Sequence, residues 1–136
     1  SAPGIRNANA LRLDWTDVLP AERCSYVLGN PPFVGAKFMD DPQREDTRLV
    51  FKGIYNAGLL DFVAAWYVKA ARYMHGAPAC RSAFVSTNSI TQGEQVGVLW
   101  GWMLSQGIHI QFAHRTFNWS NEARGKAAVH CVILVK

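Results

Sequence analysis

Long apolar runs, paired cysteines and clustered histidines are all missing from this sequence. No apolar segment approaches the ~20 residues that a transmembrane helix needs. The three cysteines, Cys24, Cys80 and Cys131, are widely spaced and include no C-x-x-C pair, and the four histidines lack the spacing of metal ligands. We therefore expect a cytoplasmic protein with reduced thiols, no metal ion and no contact with a membrane.

Strong charge of either sign is absent as well. The 136 residues include 14 Lys and Arg against 10 Asp and Glu, which gives a net charge of +4, and 49% of them are hydrophobic. This composition is typical of a globular protein, and the length suits one domain or part of one. Mild positive charge is compatible with a nucleic-acid partner but does not establish one.

Hydrophobic periodicity predicts an α/β protein, because strand-like and helix-like segments alternate along the chain. The predicted helix over 56–75 is apolar on most sides, with a narrow polar stripe of Asp61, Lys69 and Arg72. The full predicted order is a strand over 10–15, a strand over 25–29, a mobile loop over 34–55, the helix over 56–75, a strand over 83–87, a helix over 92–106, and strands over 108–114 and 127–135.

The most informative stretch is Gly29-Asn30-Pro31-Pro32-Phe33. Consecutive prolines fix two φ angles and remove two amide donors, and the residue before a proline is pushed toward an extended conformation. A stiff loop results, with a free asparagine side chain, carbonyl acceptors and an aromatic ring. Such a loop can accept hydrogen bonds from an amino group and stack against a flat base, as methylation of an adenine amino group requires.

Polar residues follow three of the predicted strands: Asp14 with Trp15, the proline loop at residues 30–33, and Thr87 with Asn88. Ligands of open α/β sheets bind beyond the carboxyl ends of the strands, so we expect these residues to line one rim. Simpler interpretations exist for each of them. Asn-Pro-Pro can be only a turn, Asp14 only a turn residue, and Trp15 only a core residue.

With these motifs the chain resembles the S-adenosylmethionine-dependent N6-adenine DNA methyltransferases of type IIG restriction-modification enzymes. The resemblance implies a partial Rossmann-like sheet and a catalytic loop made of Asn30, Pro31, Pro32 and Phe33. It also implies that Asp14 and Trp15 contact the adenine of the cofactor, S-adenosylmethionine.

A later segment, residues 117–123 followed by 127–130, is similar to the family's late motif. The aromatic residue of that motif packs against the flipped target base. Phe117 and Trp119 compete for this role here, with Phe117 preferred, and Phe33 would contact the same base. The implied partner is double-stranded DNA, bound by the full-length protein.

The glycine-rich cofactor loop of the family, F-x-G-x-G or similar, does not occur in the sequence. We therefore expect the chain to be the C-terminal part of a catalytic domain that lacks its first strands and is inactive by itself. The strand over 25–29 would then have an exposed edge, covered by the segment around Leu11 or by a second copy of the chain in a homo-oligomer.

Two other functions use the same features. Enzymes that methylate glutamine amides in proteins, or bases in RNA, carry a similar Asn-Pro-Pro-aromatic loop, because a planar amide poses the same chemical problem as adenine. The third possibility is a non-catalytic α/β module that binds nucleic acid or a partner protein.

Overall fold

A computed structural model describes residues 4–118 and 129–136, which form an α/β fold with a four-stranded sheet. The strands lie in the order β1-β2-β4-β3, with β1–β2 parallel and the other two pairs antiparallel. The elements are β1 (Tyr26–Gly29), α1 (Asp41–Val50), α2 (Ala64–Tyr73), β2 (Arg81–Thr87), α3 (Glu94–Ser105), β3 (Ile110–Asn118) and β4 (Val129–Val135).

Helix α2 connects the parallel strands β1 and β2 and forms the centre of the core. Its Tyr67 is fully buried, and the ring packs edge-on against Phe84 of β2 at 5.1 Å and Trp100 of α3 at 5.5 Å. The Tyr67 hydroxyl donates to the carbonyl of Phe84 at 3.2 Å. These contacts pack α2 against β2 and α3.

The strand predicted over 10–15 does not form. Asn9 instead closes a turn, since its side-chain oxygen accepts from the amide of Leu11 and its carbonyl accepts from the amides of Arg12 and Leu13. Leu11 is buried, with 5% of its surface exposed. Local side-chain hydrogen bonds of this kind compete with strand pairing, and the apolar alternation of the segment did not reveal them.

The mobile loop predicted over 34–55 contains helix α1. Asp40 caps it by accepting from the amide of Gln43 at 2.8 Å, and the Gln43 side chain accepts from the amide of Asp40 at 3.0 Å. Pro42 lies in the first turn, where its missing amide hydrogen costs nothing. The sequence pattern does not predict this helix, because its residues are mostly polar and hydrophobic periodicity indicates only helices with an apolar side.

The helix predicted over 56–75 begins later, at Ala64. Asn56 adopts a left-handed conformation with φ 58°, a short 3₁₀ turn covers 57–59, and Leu60 is extended. Asp61 therefore lies before α2 and not in a polar stripe along it. The four remaining predicted helices and strands lie within a few residues of α3, β2, β3 and β4, and β1 matches its predicted position closely.

Strand β1 forms one edge of the sheet within the described residues. Tyr26 and Leu28 project from it with 59% and 69% of their surface exposed. The strand registers place Leu28 and Phe112 of β3 in one row across the sheet, on the face opposite α2. The segment around Leu11 forms no strand beside this edge, and the Leu11 carbonyl instead accepts a hydrogen bond from the Lys69 side chain of α2. None of the described helices has the length and apolar character needed to cross a membrane.

Candidate functional site

The proline loop, residues 30–33, leaves the sheet directly after Gly29, the last residue of β1. Gly29 pairs with Phe84, and a Cβ atom at Gly29 would lie 3.1 Å from Cδ1 of that ring. Phe84 is 2% exposed and packs on Tyr67, so it has little room to move. A side chain at the entry to the loop would therefore require the Phe84 ring to shift by a few tenths of an ångström.

The four residues of the proline loop differ in exposure. Pro31 is buried, Asn30 and Pro32 are exposed, and Phe33 is 38% exposed. Within the described part of the chain, neither the Asn30 side chain nor the Pro31 carbonyl is used in a hydrogen bond to another residue. The loop thus presents two oxygen acceptors next to a partly exposed aromatic ring.

The chain immediately after Phe33 is attached to the segment that precedes α2. The Phe62 amide donates to the carbonyl of Val34 at 2.9 Å, and the Ala36 amide donates to Oδ1 of Asp61 at 2.9 Å. Asp61 is only 9% exposed. This attachment sets the position at which the proline loop returns to the body of the protein.

The end of β2 lies at the same rim as the proline loop, because β1 and β2 are parallel. Ser89, two residues after β2, donates its hydroxyl to Oδ2 of Asp61 at 2.6 Å. The hydroxyls of Thr87 and Ser89 are themselves 2.6 Å apart. The predicted closeness of residues 30–33 to Thr87 and Asn88 agrees with this parallel arrangement.

Phe117 lies in the same part of the sheet. Its backbone pairs with His130 of β4, and His130 pairs with Thr87 of β2, so the three residues form one row across the sheet at the rim. Trp119, the other predicted base contact, lies outside the described residues. Phe117, one of the two aromatic residues predicted to contact the base, therefore lies at the same rim as the proline loop.

Asp14 and Trp15 lie elsewhere. Asp14 accepts from the amide of Thr16 at 2.9 Å, and the Trp15 ring packs edge-on against Tyr73, the last residue of α2, at 5.8 Å. The chain that follows the proline loop is hydrogen-bonded to Asp61 and Phe62, which lie just before the first residue of α2. The prediction that all three polar segments line one rim is therefore wrong for Asp14 and Trp15, because no strand precedes them.

A cavity of about 340 Å³ borders Asp14 and Trp15. Lys69 lines it, with its ammonium 5.6 Å from the centre of the Trp15 ring. Burial lowers the pKa of Lys69, and the nearby Asp14 carboxylate opposes that shift. The Asp14 carboxylate accepts one backbone hydrogen bond and has lone pairs left over, so it retains the capacity to accept from an amino group of a ligand.

Asp61 and Ser89 are the residues of this site that sequence reasoning missed. The sequence pattern places Asp61 in the polar stripe of the helix predicted over 56–75. The signal that pointed to it is an isolated acid between apolar neighbours, in Leu59-Leu60-Asp61-Phe62-Val63. A carboxylate in such a segment must find hydrogen-bond donors when it is buried.

Comparisons with known proteins agree with the motif-based resemblance. The family model described as the DNA-methyltransferase domain of MmeI matches residues 1–135. DNA methyltransferase A of Bacillus subtilis (strain 168) is 43% identical over 98% of this chain, which covers 15% of that protein. A solved structure of the type IIL restriction-modification enzyme MmeI in complex with DNA has a TM-score of 0.89 and 59% identity, over 98% of this chain and 18% of that one. The chain thus spans less than a fifth of the length of either relative. The predicted resemblance to DNA methyltransferases is confirmed.

Proposed function

Because the chain belongs to the family of the MmeI DNA-methyltransferase domain, we propose that it carries the catalytic loop of a DNA (adenine-N6) methyltransferase. The observation that carries the proposal is the proline loop at the rim shared by β1 and β2, where the Asn30 side chain and the Pro31 carbonyl have no hydrogen-bond partner among residues 4–118 and 129–136. The complete enzyme would use S-adenosylmethionine and act within a restriction-modification protein. Its sheet would be a Rossmann-like methyltransferase sheet to which this chain contributes the later strands.

The chemistry of the loop follows from the adenine amino group. Its lone pair is delocalised into the ring, which makes the nitrogen a poor nucleophile. Oδ1 of Asn30 and the carbonyl oxygen of Pro31 would each accept one amino hydrogen and favour a tetrahedral nitrogen. Because these dipoles are fixed before reaction, they stabilise the positive charge that develops on the nitrogen without reorganising. The amino nitrogen would bond to the methyl carbon while the carbon–sulfur bond of the donor breaks and its electron pair leaves on the sulfur, and the nitrogen would then release one proton to solvent.

The target adenine must leave the duplex before it reaches this loop, since its amino group is inaccessible in the stack. Phe33 would stack on the extruded base, a contact worth about 1 to 3 kcal/mol per base. Phe117 lies in the same cross-strand row as Thr87 and is the preferred second contact, with Trp119 as the alternative. Pro32 keeps the loop stiff between Pro31 and Phe33.

S-adenosylmethionine supplies, when bound, a methyl group activated by a positively charged sulfur. The remaining acceptor capacity of Asp14 fits the amino group of the cofactor's adenine, and the Trp15 ring borders the same cavity. Asp14 and Trp15 are thus the proposed cofactor contacts of this chain. They pack at the C-terminal end of α2, so the rest of the cofactor site must come from residues closer to the proline loop.

The proposal is tested with the complete protein that contains this chain. It is incubated with labelled S-adenosylmethionine and unmodified double-stranded plasmid DNA, and methylated nucleosides are identified by mass spectrometry. We expect N6-methyladenine, and we expect Asn30→Ala to lower its rate of formation by about 100-fold, as removal of one preorganised hydrogen-bonding group does in other enzymes.

Asn7→Ala is the matched control, because Asn7 is also exposed but lies far along the chain from the loop. Its rate should equal that of the wild type. Formation of N4-methylcytosine in place of N6-methyladenine would refute the adenine assignment. A full rate in Asn30→Ala would refute the assigned role of the loop.

A further inference from the structure

We propose that Asp61 is a positioning residue, whose carboxylate holds the proline loop in register with the end of β2. The inference rests on the proposed function and assigns a role to a residue outside the Asn-Pro-Pro-Phe motif. Asp61 touches neither the loop's acceptor groups nor the proposed base contacts through any described hydrogen bond. It acts through the backbone that follows Phe33 and through Ser89.

The Asp61 carboxylate joins two segments of the rim. Oδ1 accepts from Ala36, three residues after Phe33, at 2.9 Å. Oδ2 accepts from Ser89, two residues after β2, at 2.6 Å. The adjacent Phe62 amide adds a bond to Val34 at 2.9 Å, so the return of the loop is held at two points.

Asp61 is a buried acid whose described partners are hydrogen-bond donors. Asp61 is 9% exposed, and in the described parts of the chain no Lys or Arg lies within salt-bridge distance of its carboxylate. Ion pairing therefore does not account for a buried acid at this position. Hydrogen bonds to a charged acceptor are shorter and about twice as strong as neutral ones, which suits a carboxylate that must fix two donors at once. The Asp61 amide is held as well, by Oε1 of Gln95 on α3 at 2.9 Å.

The functional consequence is kinetic. Displacement of a reacting group by about 1 Å can cost about 100-fold in rate even when the change is remote from the chemistry. Asp61→Ala frees Ala36 and Ser89 together, so the segment after the loop is no longer linked to the segment after β2 through the carboxylate. We expect the single-turnover rate constant for methyl transfer to fall by about 100-fold, while the dissociation constant for DNA changes less than about threefold.

Conservative substitutions distinguish positioning from a need for charge. Asp61→Asn keeps an oxygen acceptor for the Ala36 amide, and its amide nitrogen can donate to the Ser89 hydroxyl, which can then donate to Thr87. We expect it to retain methyl transfer within about fivefold of the wild type. Ser89→Ala removes one of the two partners and should lose about tenfold, since the bond to Ala36 remains.

The experiment uses the complete protein, in excess over the methylation sites of unmodified plasmid DNA, with labelled S-adenosylmethionine in a single-turnover quench assay. Asp46→Ala is the matched control, because Asp46 is the other buried aspartate of the described chain and bonds Asn9 and Arg12. It should lower the melting temperature without lowering the rate constant of methyl transfer.

Methyl transfer by Asp61→Ala within about threefold of the wild type would overturn the proposal, and so would Asp61→Asn as slow as Asp61→Ala. If Asp61→Ala does not fold, the comparison of Ser89→Ala with Asp46→Ala decides, and equal rate constants for these two would overturn it. A wild-type protein that forms no N6-methyladenine refutes the proposed function instead, before any Asp61 variant is compared.

Discussion

Gly29 is the residue at which packing most tightly limits the candidate site. Any Cβ atom there would lie 3.1 Å and 3.2 Å from two carbons of the Phe84 ring, which is held by Tyr67. We predict that Gly29→Ala destabilises the protein by about 1 to 3 kcal/mol, as overpacking of a well-packed core does. The measurement is the shift in melting temperature of the complete protein.

Gly97→Ala is the control for this prediction. Gly97 lies in α3, and no atom lies within 4 Å of the position that its Cβ would take. Alanine is a better helix former than glycine, so this variant should be neutral or more stable by about 0.5 to 1 kcal/mol. Equal melting temperatures for the two variants would show that Phe84 can move aside.

The residues of the site differ in how far the sequence reveals them. Asn30, Pro31, Pro32 and Phe33 are consecutive, and the constraints that proline imposes are local, so the loop is visible in the sequence. The role of Asp61 depends on Ala36 and Ser89, which are distant along the chain and come together only through folding. Asp14 was placed at the wrong rim because its supposed strand was inferred from alternation over five residues alone.

Helix α1 provides a prediction at the scale of an element. Its reciprocal cap consists of Asp40 and Gln43. We predict that Asp40→Ala destabilises α1 by about 1 kcal/mol, the usual cost of losing an N-cap. Hydrogen exchange of the α1 amides should become about fivefold faster, which is that free energy expressed as a ratio of rates.

Asp41→Ala is the matched comparison, because Asp41 is an exposed acid in the first turn that bonds no backbone amide. It removes only a favourable interaction with the helix dipole, worth about 0.3 to 1 kcal/mol. Exchange should therefore accelerate less than in Asp40→Ala. Exchange that is faster in Asp41→Ala would contradict the assignment of Asp40 as the cap.

The buried strands of the sheet agree with the sequence pattern, whereas segments built on polar contacts do not. β2 alternates buried and half-buried residues throughout, and its short apolar segment indicates a strand in the sequence. α1 depends on its N-cap. The conformation of residues 56–63 depends on the left-handed Asn56 and on the hydrogen bonds of Asp61. Such contacts depend on individual side chains and leave no periodic signal.

At the scale of the whole molecule, the open edge and face of the sheet should control association. Tyr26, Leu28 and Phe112 are 54% to 69% exposed on one face, and β1 lies at an edge. Unpaired edges and exposed apolar rows promote pairing with further copies. We predict that the 136-residue chain by itself forms homo-oligomers, detected as a mass that rises with concentration in size-exclusion chromatography with light scattering.

Leu28→Lys should restore the monomer, because a charge on an edge strand opposes further pairing. The matched control is Leu104→Lys, which places the same charge on an exposed leucine of α3, with 54% of its surface exposed, away from the edge. Association should persist in that variant. A monomeric wild-type chain at about 100 μM, well above the concentrations at which strand edges usually pair, would refute the prediction.

The parallel pairing of β1 with β2 also determines when the proline loop can form. Tyr26 pairs with Arg81, so roughly 55 residues of intervening chain must close before the loop meets Phe84, an entropically unfavourable step. β4, which completes the sheet beside β2, consists of the last residues of the chain. The loop at residues 30–33 is therefore synthesised well before the residues that fix it, and it becomes structured only once β2 is available for pairing.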